Sequence, residues 1–112
     1  MPRHDDIIAF RHMLDHAREA VDMIAGKKPG DLSRERMLEL SLIRLLEVIG
    51  EAAARVSPVG QAKCPEIPWR EVVGIRNRLI HGYDSVDLDV LWDTIGLDLP
   101  PLIAQLEKIL RM

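Results

Sequence analysis

Between Gly74 and Tyr83 the chain gathers Arg76, Asn77, Arg78, His81 and Tyr83 within one short stretch. These residue types suit cleavage of an RNA strand, in which a ribose 2′-hydroxyl attacks the adjacent phosphate and negative charge builds on its oxygens. A histidine with an ordinary pKa of about 6.5 can take or give a proton near neutral pH. The guanidinium of Arg76 can hold phosphate oxygens through paired N–H donors, and such chemistry has no strict need of a metal ion. One histidine supplies only half of an acid–base pair. A symmetric dimer that brought two copies of Arg76 and His81 into one cleft would supply both halves.

The spacing brings these side chains together only if a helix carries them. On a helix, Asn77 and His81 share a face, and Arg76 and Tyr83 align if helical geometry persists past Gly82, which could end it sooner. Arg-x4-His spacing is common by chance, and structural roles compete with chemistry at each position. His81 can be a helix-end cap or dipole partner. Arg76 can equally pair with a buried carboxylate such as Glu47 or Glu51, and Tyr83 can close a loop over the core.

The elements that must position this stretch are helical. A chain of 112 residues, 47% apolar but only 4% aromatic and 29% charged, has the bias of a Leu/Ile/Val/Ala-packed helical protein. We expect one domain over 1–112, an all-α antiparallel bundle of four to five helices. Ile7, Phe10, Leu14, Ala17, Val21 and Ile24 draw the stripe of a first helix, with Asp5 as N-cap and Gly26 as stop. A second helix, opened by Ser33 and running to about Val56, carries Leu38, Leu42, Leu45, Ile49, Ala52 and Val56. Met37, Leu40, Val48 and Ala53 widen that stripe, which implies contact on two sides. Gly50 in mid-helix costs about 1 kcal/mol against alanine, so it predicts close approach of a neighbouring helix.

Residues 57–68 hold three prolines and one glycine and read as a loop. Pro68 suits the first turn of a third helix, along which Trp69, Val72, Val73 and Ile80 point one way with Arg76 on the same stripe. A turn from Gly82 to Ser85 and an N-cap at Asp87 lead to a last helix with Leu88, Leu91, Ile95, Leu99, Leu102, Leu106 and Ile109. Pro100 and Pro101 should kink or split it.

The net charge of -3 and the absence of a bulk positive field count against capture of nucleic acid by charge alone, though not against a compact local patch. Cys64 has no partner for a disulfide and no ligand-spaced companion, which fits a reducing, cytosolic setting. No signal peptide or membrane span is expected, since no uninterrupted run of about 18 apolar residues occurs. His12 and His16 share a helical face, and His4 lies nearby, but without a third ligand they read as solvated residues rather than a metal site. Asp84, Asp87 and Asp89 lack the spacing of a calcium loop. Trp69 and Trp92 sit among aliphatics and read as packing anchors rather than base-stacking platforms.

Arg76-x4-His81-x-Tyr83 matches the RX4HXY motif of the HepT-like branch of the HEPN superfamily, and Asn77 fills the polar position after the arginine. The segments IPWREVVGIRNRLIHGYDSVDLDVLWDTIGLDLPPL, residues 67–102, and LLEVIGEAAARVS, residues 45–57, resemble that family throughout. The resemblance implies a helical bundle that dimerises and cleaves RNA without metal or other cofactor in a cleft lined by both motif copies. Arg76 and His81 would then be catalytic and Asn77 would orient. It also implies a toxin whose partner antitoxin, an MntA-type nucleotidyltransferase, silences it by transferring AMP to Tyr83. Bulk and negative charge on Tyr83 would block an incoming phosphate by sterics and repulsion. Two other readings remain. One is a non-catalytic helical subunit that binds nucleotide, nucleic acid or a separate nucleotidyltransferase. The other is a structural dimer whose Arg76, Asn77 and His81 form a polar network at the interface.

Overall fold

The computed structural model describes residues 3–81 and 85–111, and of His81 the backbone only. Three long helices make the core: α1 (His4–Met23), α3 (Arg36–Ala54) and α8 (Leu99–Leu110). Phe10, Met13, Leu14, Ala17 and Ala20 of α1 pack against Leu38, Leu42, Leu46, Ile49 and Ala53 of α3, and Leu99, Leu102, Leu106 and Ile109 of α8 close the third side. Each large aliphatic side chain buried in this way contributes about 1.5–3 kcal/mol. The all-helical architecture expected from periodicity is present, and the main stripes of the first, second and last helices are the buried faces, but Met37 and Leu40, expected to widen the second stripe, are exposed on the outer side of α3.

Several boundaries differ from the sequence expectation, each for a local reason. Arg3, not Asp5, occupies the extended N-cap position of α1, so Asp5 and Asp6 lie in its first turn, where acidic side chains favour the helix dipole. The helix ends at Met23, and Gly26 takes a φ of 76° where the chain reverses. Ser33 does not open the second long helix. It lies inside a single turn, α2 (Asp31–Arg34), with its hydroxyl donating to the Gly30 carbonyl. Glu35, non-helical at φ −116° and ψ 88°, then separates α2 from α3, while its carboxylate pairs with Lys27.

The segment 57–68 is not all loop, because Ser57 and Pro58 together start a short helix, α4 (Pro58–Ala62). The Ser57 hydroxyl oxygen accepts from the Gly60 amide, and Pro58 sits where a missing N–H costs nothing. The third helix is divided at Gly74 into α5 (Trp69–Val73) and α6 (Ile75–Leu79) by one tightened turn, in which the Asn77 amide donates to the Gly74 carbonyl. The last helix runs from α7 (Leu88–Asp93) through a π turn (Thr94–Asp98) into α8. Its irregularity therefore falls one turn before Pro100 and Pro101, which sit at the start of α8. Neither proline can donate to the carbonyl four residues earlier, and the widened turn lets the Leu99 amide reach Thr94 instead. No helix among the described residues is long and apolar enough to cross a membrane.

Asp6 ties the start of α1 to α4. Its carboxylate is buried and accepts from both the amide and the hydroxyl of Ser57, at 2.9 and 2.6 Å. Burial alone would push this carboxyl up, but the two Ser57 hydrogen bonds, with Arg3 and Lys63 nearby, outweigh it and hold the pKa below the usual carboxylate value. A Cβ on Gly60 would collide with Asp6 Oδ2 and stand 2.8 Å from Val56 Cγ1.

Both the glycine and the carboxylate can be tested. Gly60→Ala should lower stability by about 1–3 kcal/mol in urea unfolding, because the carboxylate must move or lose its partners. Since the folded state holds the Asp6 proton less tightly than the unfolded chain, its contribution is fully present above the ordinary carboxylate pKa and disappears as pH falls through the lower folded value. The stability advantage of the parent over Asp6→Asn should therefore be constant near pH 7 and shrink below about pH 4.

Candidate functional site

Gly50 lies at the centre of the contact between α3 and the α5–α6 pair. A Cβ there would stand 3.2 Å from the Val72 carbonyl oxygen, 3.3 Å from that of Val73 and 3.3 Å from Ile75 Cγ2. The close approach expected from a mid-helix glycine is real, and what approaches is backbone. Val72 and Ile75 are buried against α3, and Trp69 anchors the start of α5. The indole N–H of Trp69 donates to the Gln61 and Cys64 carbonyls at 3.2 and 3.1 Å, and its ring lies 6.1 Å from that of Phe10. Trp92 is likewise half-buried against the core, so both tryptophans serve packing.

With α5 and α6 held in this way, Arg76 crosses towards the preceding turn of α3 and pairs with Glu47, Nε to Oε2 at 3.0 Å. The structural role weighed for this arginine therefore exists, and of the two carboxylates considered it is Glu47 that takes it. Glu51 pairs instead with Arg44 at 3.7 Å. The arginine is nevertheless far from buried, since its side chain is 62% exposed against 23% for Glu47. Asn77 and Arg78 are exposed beside it, and Arg78 reaches Asp98 of the π turn at 3.7 Å. A shallow depression of about 280 Å³, lined by Glu47, Gly50, Glu51, Val73, Arg76 and Asn77, opens in front of this group.

The helix does not extend to His81. α6 stops at Leu79, Ile80 turns extended at φ −103° and ψ 123°, and the Leu79 carbonyl accepts from the Asp87 amide at 2.9 Å. Ile80 and His81 form a two-residue strand, β1 (Ile80–His81), paired antiparallel with β2 (Ser85–Val86), Ile80 opposite Val86 and His81 opposite Ser85. The helical-face argument that put Asn77 with His81, and Arg76 with Tyr83, is thereby replaced. Asn77 stands on α6 and His81 in the strand that follows it, so the two do not share a helical stripe. Asp87 anchors the return as an N-cap, accepting from the Val90 amide at 3.1 Å, as its place in the sequence suggested. Tyr83, Asp84 and the Gly82 turn lie outside the described residues.

Other singled-out residues do not join this group. His12 is exposed and His16 half-exposed on α1, with the His16 ring nitrogen 2.7 Å from the His12 carbonyl oxygen. Cys64 is buried, and burial pushes its thiol up from the ordinary value, the charge of Glu66 adding to the effect. A cleft of about 350 Å³ lies on the other side of α6 against α8, but Glu66, Glu71 and Asp98 on its rim disfavour a phosphate. The feature that sequence reasoning did not foresee is the Asp87 amide bond to Leu79, which decides where the helix ends. The N-cap signal at Asp87 was its only trace.

Comparison with known proteins bears on this geometry. The model of a family described as Ribonuclease HepT-like matches residues 7–109, a span that includes the whole site. A protein of Methanocaldococcus jannaschii, provisionally named an RNase, is 32% identical over 105 residues, which cover 93% of this chain and 96% of that one. A protein of Thermococcus cleftensis, provisionally named ribonuclease HepT, is 40% identical over 79 residues, 70% of this chain and 72% of its own. One from Caldanaerobacter subterraneus, also provisionally named an RNase, is 31% identical over 91% of both chains. No solved structure gives a significant match.

The contact at Gly50 makes a specific prediction. In an open helix Gly→Ala would stabilise by about 1 kcal/mol. Here Gly50→Ala should forfeit that gain, and Gly50→Leu should cost about 1–3 kcal/mol by thermal or urea unfolding, because backbone carbonyls cannot rotate aside as a side chain would.

Proposed function

The chain belongs to the HepT-like ribonuclease family, and from that premise we propose that it is a metal-independent ribonuclease whose working unit is a homodimer, with Arg76 and His81 as catalytic residues and Asn77 as the orienting one. The observation that carries the proposal is the exposed guanidinium of Arg76, standing over an open depression beside Asn77 and a few residues ahead of His81. Two copies of this group, one from each protomer, would line a single cleft.

In that cleft one His81 takes the proton of a ribose 2′-hydroxyl, and the oxygen attacks the neighbouring phosphorus. The bond from phosphorus to the 5′-oxygen breaks, and the second His81 returns a proton to the leaving oxygen. The products are a 2′,3′-cyclic phosphate and a 5′-hydroxyl. Arg76 from either copy stabilises the charge that accumulates on the phosphate during the exchange. Exposed Met37 and Leu40 on the outer side of α3, and Val73 beside Arg76, supply apolar area for the partner copy.

The chain is further proposed to act as the toxin of a cytoplasmic toxin–antitoxin pair, with Tyr83 accepting AMP from a nucleotidyltransferase antitoxin of the MntA type. A phosphodiester on Tyr83, close along the chain to His81, would set a negative charge where the substrate phosphate has to sit.

Labelled RNA incubated in EDTA tests the core of the proposal. The unmodified parent should cut it, and His81→Ala should lose about 100- to 10,000-fold in rate. Arg76→Ala should lose about 100- to 1,000-fold. Sedimentation should show a dimer for all three. A folded, dimeric His81→Ala protein that cleaves as fast as the parent would remove His81 from the mechanism. A parent that never cleaves, with Tyr83 shown unmodified by intact mass, would favour a non-catalytic binding subunit.

A further inference from the structure

We propose that Glu47 is a positioning residue for Arg76, holding the inner edge of its guanidinium so that the outer edge is presented to a phosphate. The proposal rests on the ribonuclease reading of the site and assigns to α3 a part in it. An arginine has two donor edges, a side edge through Nε and an end formed by Nη1 and Nη2. Glu47 Oε2 lies 3.0 Å from Nε, so the ion pair is made beside Nε, at the inner side of the guanidinium, and the end of the fork lies towards the exposed side. The carboxylate is the sheltered member of the pair and the guanidinium the exposed one, 23% against 62%, as expected where an acid fixed in the wall orients a base that faces the substrate.

The pair does little else. An ion pair with so exposed a member contributes little to folding. α6 is already fixed against α3 by Val72, Ile75 and the Gly50 contact. Freed of Glu47, a long side chain at the edge of a shallow depression would sample many rotamers. Each phosphate contact would then have to order it afresh. Glu51 lines the same depression but pairs with Arg44, so of the two carboxylates there it is Glu47 alone that meets Arg76.

The test is a double-mutant cycle on the full-length dimer, with kcat and KM for RNA cleavage measured for the parent, Glu47→Ala, Glu47→Gln, Arg76→Ala and Glu47→Ala/Arg76→Ala. Melting temperatures and binding of an uncleavable RNA with 2′-methoxy riboses are measured in parallel. Glu47→Ala should lower kcat by about 10- to 100-fold with a smaller change in KM. Glu47→Gln, which keeps the shape and an oxygen beside Nε but not the charge, should recover only part of the loss. The double variant should be no worse than Arg76→Ala alone, whereas a merely structural role would lower activity in both backgrounds. Glu107→Ala, which removes the same charge from α8, where it pairs with Arg18 away from the depression, should not lower kcat.

Additive losses overturn the proposal, and so does faster cleavage by Glu47→Ala, which would mean that the carboxylate competes with phosphate for the arginine. If the parent binds the 2′-methoxy RNA but does not cleave, the ribonuclease reading fails separately. The cycle is then read from binding, where a non-additive loss supports the positioning role and additive losses overturn it. If the parent neither binds nor cleaves RNA, both ideas fall.

Discussion

The place where α3 meets the carbonyls of Val72 and Val73 constrains everything around the site. A helix side chain larger than a methyl at position 50 would hold α5 and α6 away, and the glycine removes that spacer at the cost of a poorer helix former in the middle of α3. Once the two backbones touch, the geometry of both helices sets which side chains face each other along the seam. Glu47 lies about one turn before Gly50 on α3, and Arg76 about one turn after Val72 on the opposing chain, so the two charged side chains meet across it. Sterics at one position thus produce an electrostatic contact at another. The same contact sets how far the end of α6 stands from the core, and with it the take-off point of β1.

Beyond α6 the chain is governed by hydrogen-bond accounting rather than by packing. The Leu79 carbonyl would, in a continuing helix, await an amide four residues on. It receives the Asp87 amide instead, and the two-residue ladder from Ile80 to Val86 pairs the next groups. Asp87 closes the excursion at its far end by capping α7. Arg76 therefore stands on a helix fixed by burial, and His81 in a two-residue strand tied at its base. Such a division puts the arginine on a rigid support and the histidine on a shorter and more locally held one.

The long helices were legible because their signal is redundant. Phe10, Leu14 and Ala17, or Leu42, Leu45 and Ile49, repeat one face so many times that no single residue decides the outcome. Gly50 was legible for the opposite reason, being a single residue whose presence in a helix needs an explanation. The short elements were not, since each depends on a partner far along the chain. Ser57 caps α4 while it donates to Asp6, and the end of α6 depends on an amide eight residues later, distances that no local periodicity records. Composition was misleading at 57–68, where prolines suggested loop although Pro58 is compatible with a helix start. For the site, the sequence supplied the residue types and two candidate carboxylates for Arg76. Only packing could choose Glu47 over Glu51, because both fall on the same side of α3 and differ by a single turn.

The charge balance limits how such a site can work. With a net charge of -3, and with Arg76 and Arg78 each already facing a carboxylate, the protein projects little positive potential, and dimerisation would double the deficit. At physiological salt, charges further away than about 8 Å are largely screened, so the acidic remainder of the molecule does not greatly repel a strand that has already arrived. It does nothing to attract one either. Binding energy for RNA must then come from a small number of short-range contacts, and an arginine that is already oriented contributes most under that condition. It loses less freedom when a phosphate replaces water at its outer edge, and its effect is concentrated where charge develops rather than spread over general affinity for polyanions. An acidic ribonuclease with few phosphate contacts is, by this reasoning, selective by geometry. Without a bulk positive field to hold RNA in unproductive poses, only strands that brought a ribose and its phosphate together into the proposed cleft would gain from such a site.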